Sequence, residues 1–303
     1  MSRKKVPRYD IVVSAENNHY VAWQAMLFHY SCLKQLGRPP IIVVHSEGSE
    51  LHAGFHMIRA RDGRIQRARN YRHYRGTVYP PRNTAGTLRC VDSDAEYLVL
   101  CDPDMLFLSP APFERYRLGA NAVSFDSVSY LTVNDSNEAV LAAACRRLKL
   151  SLDLLRDSPL SGGVPHIVPA ALRQRLSSVW MRCINLLLRI RLPPHKRHEG
   201  YSPWLSSMWG LVLAVRMLRL KPVLTEFAIT NHLGHQMIPP IGPTGPYLLH
   251  YCYGDAIFDK RRYSGDGEEP PGLWHVQPDK ESRSINNRIR AELGAASKSR
   301  SSA

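Results

Sequence analysis

The first fifty residues place two short apolar runs on either side of one long segment with helical spacing. Residues 9–15 (YDIVVSA) and 39–48 (PPIIVVHSEG) are apolar runs typical of buried strands. Residues 20–37 between them have helical periodicity and end at Gly37, with two prolines behind it. A strand, a helix and a strand within about forty residues predict a βαβ unit and therefore a parallel pair of strands.

The rest of the chain continues this alternation of strands and helices. Residues 96–102 and 247–255 are further predicted strands, and residues 134–150, 170–192 and 201–220 are predicted helices. Together these segments predict an α/β fold with a mixed, mainly parallel sheet that is flanked by helices.

Length and composition indicate how this fold is divided. A chain of 303 residues with a hydrophobic fraction of 44% can bury one sizeable core. We expect a single domain over residues 1–280. Residues 281–303 are charged and rich in Ser and Ala, a composition that predicts a frayed helix followed by a disordered tail.

The chain carries a large surplus of positive charge. Lys and Arg number 40 against 26 Asp and Glu, a formal net charge of +14, which indicates an anionic partner. Residues 56–76 hold seven arginines and one acid. Four interpretations of this segment are open. It could be a solvated face, a surface that attracts an anionic donor or acceptor, or a contact for acidic lipid. It could also bind nucleic acid, with bases stacked on Tyr71 and Tyr74.

Several classes of protein lack support in the sequence. The fingerprints of P-loop ATPases, Rossmann dehydrogenases, α/β-hydrolases and zincins are all missing. No apolar targeting segment precedes the first predicted strand, and the apolar window 204–220 contains two arginines, which favours a buried helix. We therefore expect a cytoplasmic protein, with peripheral contact to the acidic inner face of a membrane as an alternative.

A pair of carboxylates interrupts the apolar stretch of residues 95–110 (AEYLVLCDPDMLFLSP). Asp102 and Asp104 follow the predicted strand directly, and residues i and i+2 of an extended segment point the same way. In open α/β sheets, ligands bind beyond the carboxyl ends of the strands. Two neighbouring carboxylates suit a hard cation such as Mg²⁺ or Mn²⁺ that also holds a phosphate. The alternative is a plain Asp-Pro-Asp turn.

A third ligand would distinguish a metal site from a turn. The best candidate is His250, which lies in the apolar strand near the end of the chain. The alternative for a lone histidine in such a strand is a core side chain with a satisfied hydrogen bond.

Five stretches, in order along the chain, carry a resemblance to a known enzyme group. The chain resembles nucleotide-sugar glycosyltransferases of the GT-A fold, and more narrowly the plant-type peptidyl serine α-galactosyltransferases and hydroxyproline O-arabinosyltransferases. The matching stretches are residues 20–24 (YVAWQ), 83–88 (NTAGTL), 94–105 (DAEYLVLCDPDM), 161–168 (SGGVPHIV) with 204–210 (WLSSMWG), and 250–260 (HYCYGDAIFDK).

This resemblance implies a ligand set for the metal and the donor. Asp102 and Asp104 would bind Mn²⁺ or Mg²⁺ on the diphosphate of a UDP-sugar, and His250 would complete the metal ligands. Asp102 would also belong to the residues that bind the donor.

Further residues are implied to contact the rest of the donor. Ser14 and Ala15 would hold the nucleoside, and Asn83 would lie near it. Gly162 and Gly163 would let the backbone approach the donor sugar.

The resemblance also implies the reaction. Galactose or arabinofuranose would pass from the UDP-sugar to an acceptor hydroxyl with retention of configuration. The family's acceptor is a peptide Ser or hydroxyproline, and a glycan, a lipid or a small molecule is the alternative.

One departure from the family pattern concerns the acceptor or donor-sugar pocket. Ser207 stands where the pattern W-x-S-E-M-Y-G has a glutamate, and Glu199 or Glu226 would have to supply that carboxylate. Asp104, Ser207 and Glu199 are therefore the candidate catalytic positions. The loss at Ser207 motivates a further alternative, an inactive glycosyltransferase fold that serves as an interaction module. A nucleic-acid-binding protein is a weaker alternative, because it leaves the carboxylate pair unexplained.

Overall fold

The fold was obtained as a computed structural model. It describes residues 8–113, 116, 118–128, 130–156, 162–191, 201–230, 245–252, 258–264, 272–275, 277–278 and 284–301.

Strands and helices alternate through much of the described chain. The strands, β1 to β12, are Tyr9–Glu16, Ile41–Ser46, Arg64–Arg69, His73–Tyr74, Thr77–Val78, Tyr97–Cys101, Met105–Phe107, Ala122–Asp126, His166–Pro169, Lys221–Thr225, Ala228–Thr230 and Leu248–His250. The helices, α1 to α8, are His19–Leu36, Ala53–Arg59, Arg82–Cys90, Glu138–Leu148, Asp153–Arg156, Arg173–Leu187, Ser206–Met217 and Ile285–Ser301.

The predicted βαβ unit is present at the start of the chain. Helix α1 begins at Asn18, whose side chain accepts a hydrogen bond from the amide of Val21, and it ends at Gly37 in a left-handed conformation with φ of 66°. Strands β1 and β2 then pair in parallel, with Val12 opposite Ile41. Strand β3 pairs in parallel with β2.

The principal sheet has the order β3-β2-β1-β6-β9. Its last pair is antiparallel, with Leu98 opposite Val168. A smaller sheet has the order β11-β12-β7, in which β12 runs parallel to β11 and antiparallel to β7. The fold is therefore α/β with a mixed, mainly parallel sheet, as the sequence predicted.

The chain forms two compact units. The first unit comprises Met1–Asp10, Asn70–Leu100 and Glu114–Thr225, and the second comprises Ile11–Arg69, Cys101–Phe113 and Glu226–Ala303. In the first unit, α6 packs against both α3 and α7. In the second unit, α1 packs against α2, β7 and α8. The single domain expected over residues 1–280 stays a prediction.

The C-terminal segment differs from its prediction. Residues 285–301, expected to be a frayed helix followed by a disordered tail, form the continuous helix α8. Ile285, Ile289 and Leu293 recur every four residues and are buried in one hydrophobic cluster with Trp23 and Leu27 of α1. This spacing places them on one face of a helix, so burial of that face offsets the cost of ordering a polar segment.

Two other segments show where sequence patterns failed. Strand β3 (RIQRAR) was not predicted, because its arginines hide the strand pattern. The helix predicted from residue 134 begins only at Glu138, since Asn134 and Asn137 form a turn in which the Asn137 side chain accepts a hydrogen bond from the Asn134 amide. Within the described residues, no helix has both the length and the hydropathy that crossing a membrane would require.

Candidate functional site

The two aspartates belong to the second unit and lie between two buried strands. Strand β6 ends at Cys101, and β7 starts at Met105, so Asp102 and Asp104 occupy the short turn between them. The main-chain carbonyl of Asp104 accepts a hydrogen bond from the amide of Tyr251, at 2.9 Å. This bond ties the turn to the segment that follows β12.

Antiparallel pairing brings His250 to the same place. Strand β12 pairs with β7 so that His250 stands opposite Met105, the neighbour of Asp104 in sequence. The Nε2 atom of His250 lies 3.3 Å from a carboxylate oxygen of Asp104 and 3.8 Å from one of Asp102. The structure thus brings together the three side chains that the sequence analysis assigned to a metal.

Lys260 is a fourth member of this cluster that the sequence analysis missed. Its ammonium forms an ion pair with the carboxylate oxygen of Asp104 that does not face His250. Lys260 begins a short 3₁₀ helix whose N-cap, Asp259, accepts a hydrogen bond from the amide of Arg261. Lysine is not a usual metal ligand, so a search for metal ligands does not consider it. The signal that could have indicated it is the repulsion between two adjacent carboxylates, which a nearby positive charge relieves.

The charges of the cluster shift one another's pKa values. Burial and the neighbouring Asp104 carboxylate raise the pKa of Asp102. Burial alone would also raise the pKa of Asp104, but Lys260 and His250 outweigh it and hold that pKa far below its usual range. Burial lowers the pKa of His250, yet the two carboxylates together raise it above its ordinary value. The cluster therefore favours a negative Asp104 surrounded by positive partners.

The donor atoms fit a small divalent cation. One ligand atom from each of Asp102, Asp104 and His250 can be chosen so that all three lie within 4.8 Å of one another. Carboxylate oxygens suit Mg²⁺ and Mn²⁺, and an imidazole nitrogen is better accepted by a transition metal. The donor set therefore fits Mn²⁺ best, and binding itself stays a prediction.

Aromatic side chains surround this cluster within the second unit. The ring of Trp23 stacks on that of Tyr251 with centroids 6.2 Å apart, and Trp23 Nε1 donates a hydrogen bond to the carbonyl of Tyr263. The ring of Phe258 stacks on that of Tyr263, only three residues after Lys260. These contacts hold the Lys260 segment firmly, so its ammonium is positioned by packing rather than by the ion pair alone.

Two other predicted donor contacts lie on β1 of the second unit. Ser14 and Ala15 pair with Val43 and Val44 of β2. Ser14 is half-buried and Ala15 is buried. Their assigned contact with a nucleoside stays a prediction.

Asn83, Gly162, Gly163 and Ser207 belong to the first unit, whereas Glu226 is an exposed residue of the second unit. Asn83 is buried, and its amide is used inside the chain, accepting from the Tyr71 amide and donating to Asn70. Its local role is to fix this loop. Its assigned place near a nucleoside stays a prediction.

The two glycines are packed tightly. A Cβ on Gly162 would lie 2.8 Å from the Cβ of Met208, and one on Gly163 would lie 2.5 Å from the carbonyl oxygen of Asp126. Both positions therefore need glycine for packing, whatever their assigned contact with a donor sugar.

Ser207 is buried, and its environment is polar. Its amide donates to the hydroxyl of Tyr79 at 2.7 Å, and its carbonyl accepts from the indole of Trp180 at 2.7 Å. Burial raises the pKa of Tyr79 well above its usual range, so this phenol keeps its proton and serves as a hydrogen-bond donor and acceptor. Glu199 lies outside the described residues.

The arginine-rich segment gives little support to base stacking. Tyr71 is 8% exposed, which leaves no ring face for a base. The ring of Tyr74 has the guanidinium groups of Arg75, Arg82 and Arg189 within 5.7 Å of its centroid. The ring of Tyr71 is therefore packed in the protein interior, and the ring of Tyr74 already contacts arginine side chains.

Comparison with known proteins gives likenesses in structure only. No protein-family model matches the sequence, and no curated protein matches it. An active-site mutant of LgtC is similar over 95% of both chains, with a TM-score of 0.53 and 11% identity. The bifunctional glycosyltransferase WbbM is similar over 98% of this chain and 50% of its own, with a TM-score of 0.50 and 10% identity.

A further similar structure is the galactosyltransferase LgtC in complex with donor and acceptor sugar analogues. It covers 95% of both chains with a TM-score of 0.46 and 12% identity. At identities this low, the likeness to LgtC and WbbM shows the fold, which is that of the GT-A glycosyltransferases. This agrees with the predicted fold class.

Proposed function

We propose that this chain is a metal-dependent glycosyltransferase that moves a sugar from a UDP-sugar to an acceptor hydroxyl. The observation that carries the proposal is the convergence of Asp102, Asp104 and His250 on one point, in a fold shared with glycosyltransferases. Two carboxylates beyond the carboxyl end of a buried strand, together with an imidazole, form a donor set that suits a divalent cation.

The proposed reaction separates charge at the donor diphosphate. The bond between the anomeric carbon and the diphosphate oxygen breaks, and its electron pair leaves with the phosphate. The acceptor oxygen forms the new bond to the anomeric carbon, and its proton passes to the departing phosphate. A divalent cation, when bound, acts as a Lewis acid toward that leaving group.

The residues of the cluster have distinct parts in this proposal. Asp102, Asp104 and His250 would hold the metal. Lys260 lies beside Asp104 and brings a further positive charge to the place where negative charge develops. An ammonium is a point charge suited to a phosphate oxygen. No protein nucleophile is required, because the leaving phosphate itself accepts the proton.

The finer assignments rest on the family resemblance. They are a galactosyl or arabinofuranosyl donor, a peptide serine or hydroxyproline acceptor, and retention of configuration. Glycans and small molecules are alternative acceptors. Ser14, Ala15, Asn83, Gly162 and Gly163 keep their proposed places around the donor.

The proposed catalytic positions are Asp104, Ser207 and Glu199. The acceptor assignment is the one most affected by Ser207, which has a hydroxyl where a carboxylate is expected. We propose that Ser207 acts in the acceptor or donor-sugar pocket through its hydrogen bonds and not through a negative charge.

A donor screen tests the function. The chain is incubated with a set of UDP-sugars, with Mn²⁺ or with a chelator, and free UDP is measured by mass spectrometry. We expect Mn²⁺-dependent UDP release with one of the donors, and its loss in Asp102→Asn. The matched control is Asp259→Asn, which changes a carboxylate that pairs with Arg261 outside the cluster. Full turnover in Asp102→Asn would refute the metal role.

A second candidate is an inactive fold that serves as an interaction module. The specific observation in its favour is the ion pair of Lys260 with Asp104, which already balances one carboxylate without a metal. Calorimetric titration with Mn²⁺, UDP and UDP-sugars separates the two candidates. Heat of binding supports the enzyme, and silence toward all three ligands supports the module.

A further inference from the structure

A cavity lies on the second unit among α1, α2 and α8. It encloses about 450 Å³ including its open mouth, of which about 50 Å³ is available to the centres of water molecules. The smaller volume exceeds what a single ordered water needs. Most of its wall is apolar and is formed by Met26, Leu33, Met57, Ile58, Trp274 and Ala296.

A buried histidine lines this cavity without a complete set of partners. His29 is 4% exposed, and its Nε2 has no hydrogen-bond partner in the part of the chain that the structure describes. Burial, with a smaller effect of Arg61, lowers the pKa of His29 to about 4. The ring is therefore neutral near pH 7. A buried polar atom without a partner costs free energy, so this nitrogen calls for a ligand atom or a water.

A positive charge lies beside the same histidine. Arg61 lines the cavity, and its guanidinium donates a hydrogen bond to the carbonyl of Ser299 at 3.0 Å. That bond uses one of its five donor hydrogens and neutralises none of its charge. The polar end of the cavity therefore combines a cation with a neutral imidazole.

The mouth of the cavity exposes large apolar side chains. Leu33 is 38% exposed and Met57 is 36% exposed, and both line the opening. Scattered exposed apolar residues need no explanation, but two that border one cavity form a continuous apolar surface with its wall. A ligand with a hydrocarbon part would cover them.

We propose that this cavity binds a medium-chain carboxylate, a single hydrocarbon chain with one anionic head. The carboxylate pairs with the guanidinium of Arg61 and accepts a hydrogen bond from Nε2 of His29. The chain lies along Met26 and covers Leu33 and Met57. This site is separate from the acidic cluster, and its existence does not depend on the proposed glycosyltransferase activity.

Methyl NMR of the full chain tests the proposal. The methionine methyl groups are labelled with ¹³C, and octanoate is titrated into the protein. Acetate, which lacks the chain, and octanol, which lacks the charge, are titrated in parallel. We expect saturable shifts at Met26 and Met57, with Met208 and Met217 of the first unit unchanged. Octanoate should bind at least about tenfold more tightly than either analogue, because each lacks one of the two contacts.

Two variants give the matched comparison. Arg61→Gln should weaken octanoate binding about tenfold, since it removes the charged partner of the carboxylate. Arg59→Gln, the same change at an exposed position of α2 that does not line the cavity, should leave binding unchanged. His29→Phe fills the place of the imidazole with an apolar ring and should also weaken binding.

Three experimental results would contradict the proposed carboxylate site. Equal binding of octanol and octanoate, equal loss in Arg59→Gln and Arg61→Gln, or no saturable shift at Met26 and Met57 would each overturn the proposal. The last result would leave ordered water as the partner of His29.

Discussion

Lys260 and Asp104 form an ion pair inside the acidic cluster of the second unit, and their side chains are only 13% and 12% exposed. His250 faces the other oxygen of the same carboxylate at 3.3 Å. Asp104 is therefore held between two nitrogen groups from segments far away in sequence. The pair matters because a lysine in this place supplies the charge that a metal would otherwise bring.

Replacing Lys260 should separate its structural effect from its effect on the metal. In Lys260→Met, Asp104 loses its ion-pair partner, and we expect a loss of about 3 kcal/mol in the free energy of unfolding. Mn²⁺ should bind more tightly, because no ammonium competes for the carboxylate. Urea unfolding and calorimetric titration measure these two quantities. Lys221→Met, at an exposed lysine of β10, is the control, and weaker Mn²⁺ binding in Lys260→Met would contradict the prediction.

Removing a charge from the carboxylate pair should weaken metal binding directly. Asp104→Asn keeps the shape of the side chain, and we expect Mn²⁺ affinity to fall at least about tenfold, as it does when even outer partners of metal ligands are changed. Titration calorimetry of the free chain provides the measurement. Asp259→Asn should keep the affinity of the unmodified chain. An unaltered dissociation constant in Asp104→Asn would show that this carboxylate is not a ligand.

The close contact of Gly163 with β8 predicts a packing penalty in the first unit. Gly163→Ala would place a methyl group 2.5 Å from the carbonyl oxygen of Asp126, so the backbone must shift. We expect the free energy of unfolding to fall by about 2 kcal/mol. Gly48→Ala has no atom within 4 Å of the new methyl group and serves as the control in denaturant titrations. An equal effect of both changes would count against the contact.

The buried imidazole of His166 should make the protein sensitive to acid. Burial lowers the pKa of His166 from 6.5 to about 3, and its ring lies edge-on to Phe125 and Trp180. The unfolded chain binds a proton as pH falls below 6.5, whereas the folded chain does not. The stabilising contribution is therefore complete above pH 6.5 and is lost progressively as pH falls toward 3.

A substitution at His166 should flatten this pH dependence. His166→Phe keeps the aromatic contacts and cannot take up a proton, so it should lose about 2 kcal/mol less stability than the parent chain between about pH 7.5 and pH 5. Urea unfolding at both pH values gives the difference. The exposed His56 serves as the control through His56→Gln, and parallel pH profiles for all three proteins would disprove the assignment.

Helix α8 should contribute substantially to stability. Leu293 is fully buried, and Leu293→Ala leaves a cavity, which we expect to cost about 3 kcal/mol. Thermal and denaturant unfolding provide the measurement. Lys298→Ala, at an exposed position of the same helix, should have little effect. A near-zero cost for Leu293→Ala would return this segment to the disordered tail that its composition predicts.

The extent to which the sequence predicted the site differs between its residues. Asp102 and Asp104 were predictable because apolar strands flank them. His250 was a candidate from its place in an apolar strand, but one histidine there is ambiguous, and the family resemblance strengthened its assignment. Lys260 was missed because its pairing depends on a fold in which residues 104 and 260 meet.

Elements of the fold that depend on local sequence patterns were predicted, whereas elements that depend on partners distant in sequence were not. Strands β1 and β2 with helix α1 follow from hydrophobic periodicity. The full length of helix α8 was missed because its regularly spaced apolar residues lie in a polar background, and only the partner surface on α1 makes their burial favourable. Strand β3 was missed because its pairing with β2 outweighs its arginine-rich composition.

The hydrophobic cluster that buries Leu293 also contains Trp23 and Leu106, so stretches distant in the chain complete one core. During synthesis, the apolar face of α1 leaves the ribosome on the order of tens of seconds before α8, at ~5–20 residues per second. In that interval the apolar face of α1 lacks its partner surface on α8, which leaves apolar side chains exposed. The aspartates of the cluster are likewise made before the imidazole and the ammonium beside them, so the site can assemble only after residue 260 has been synthesised.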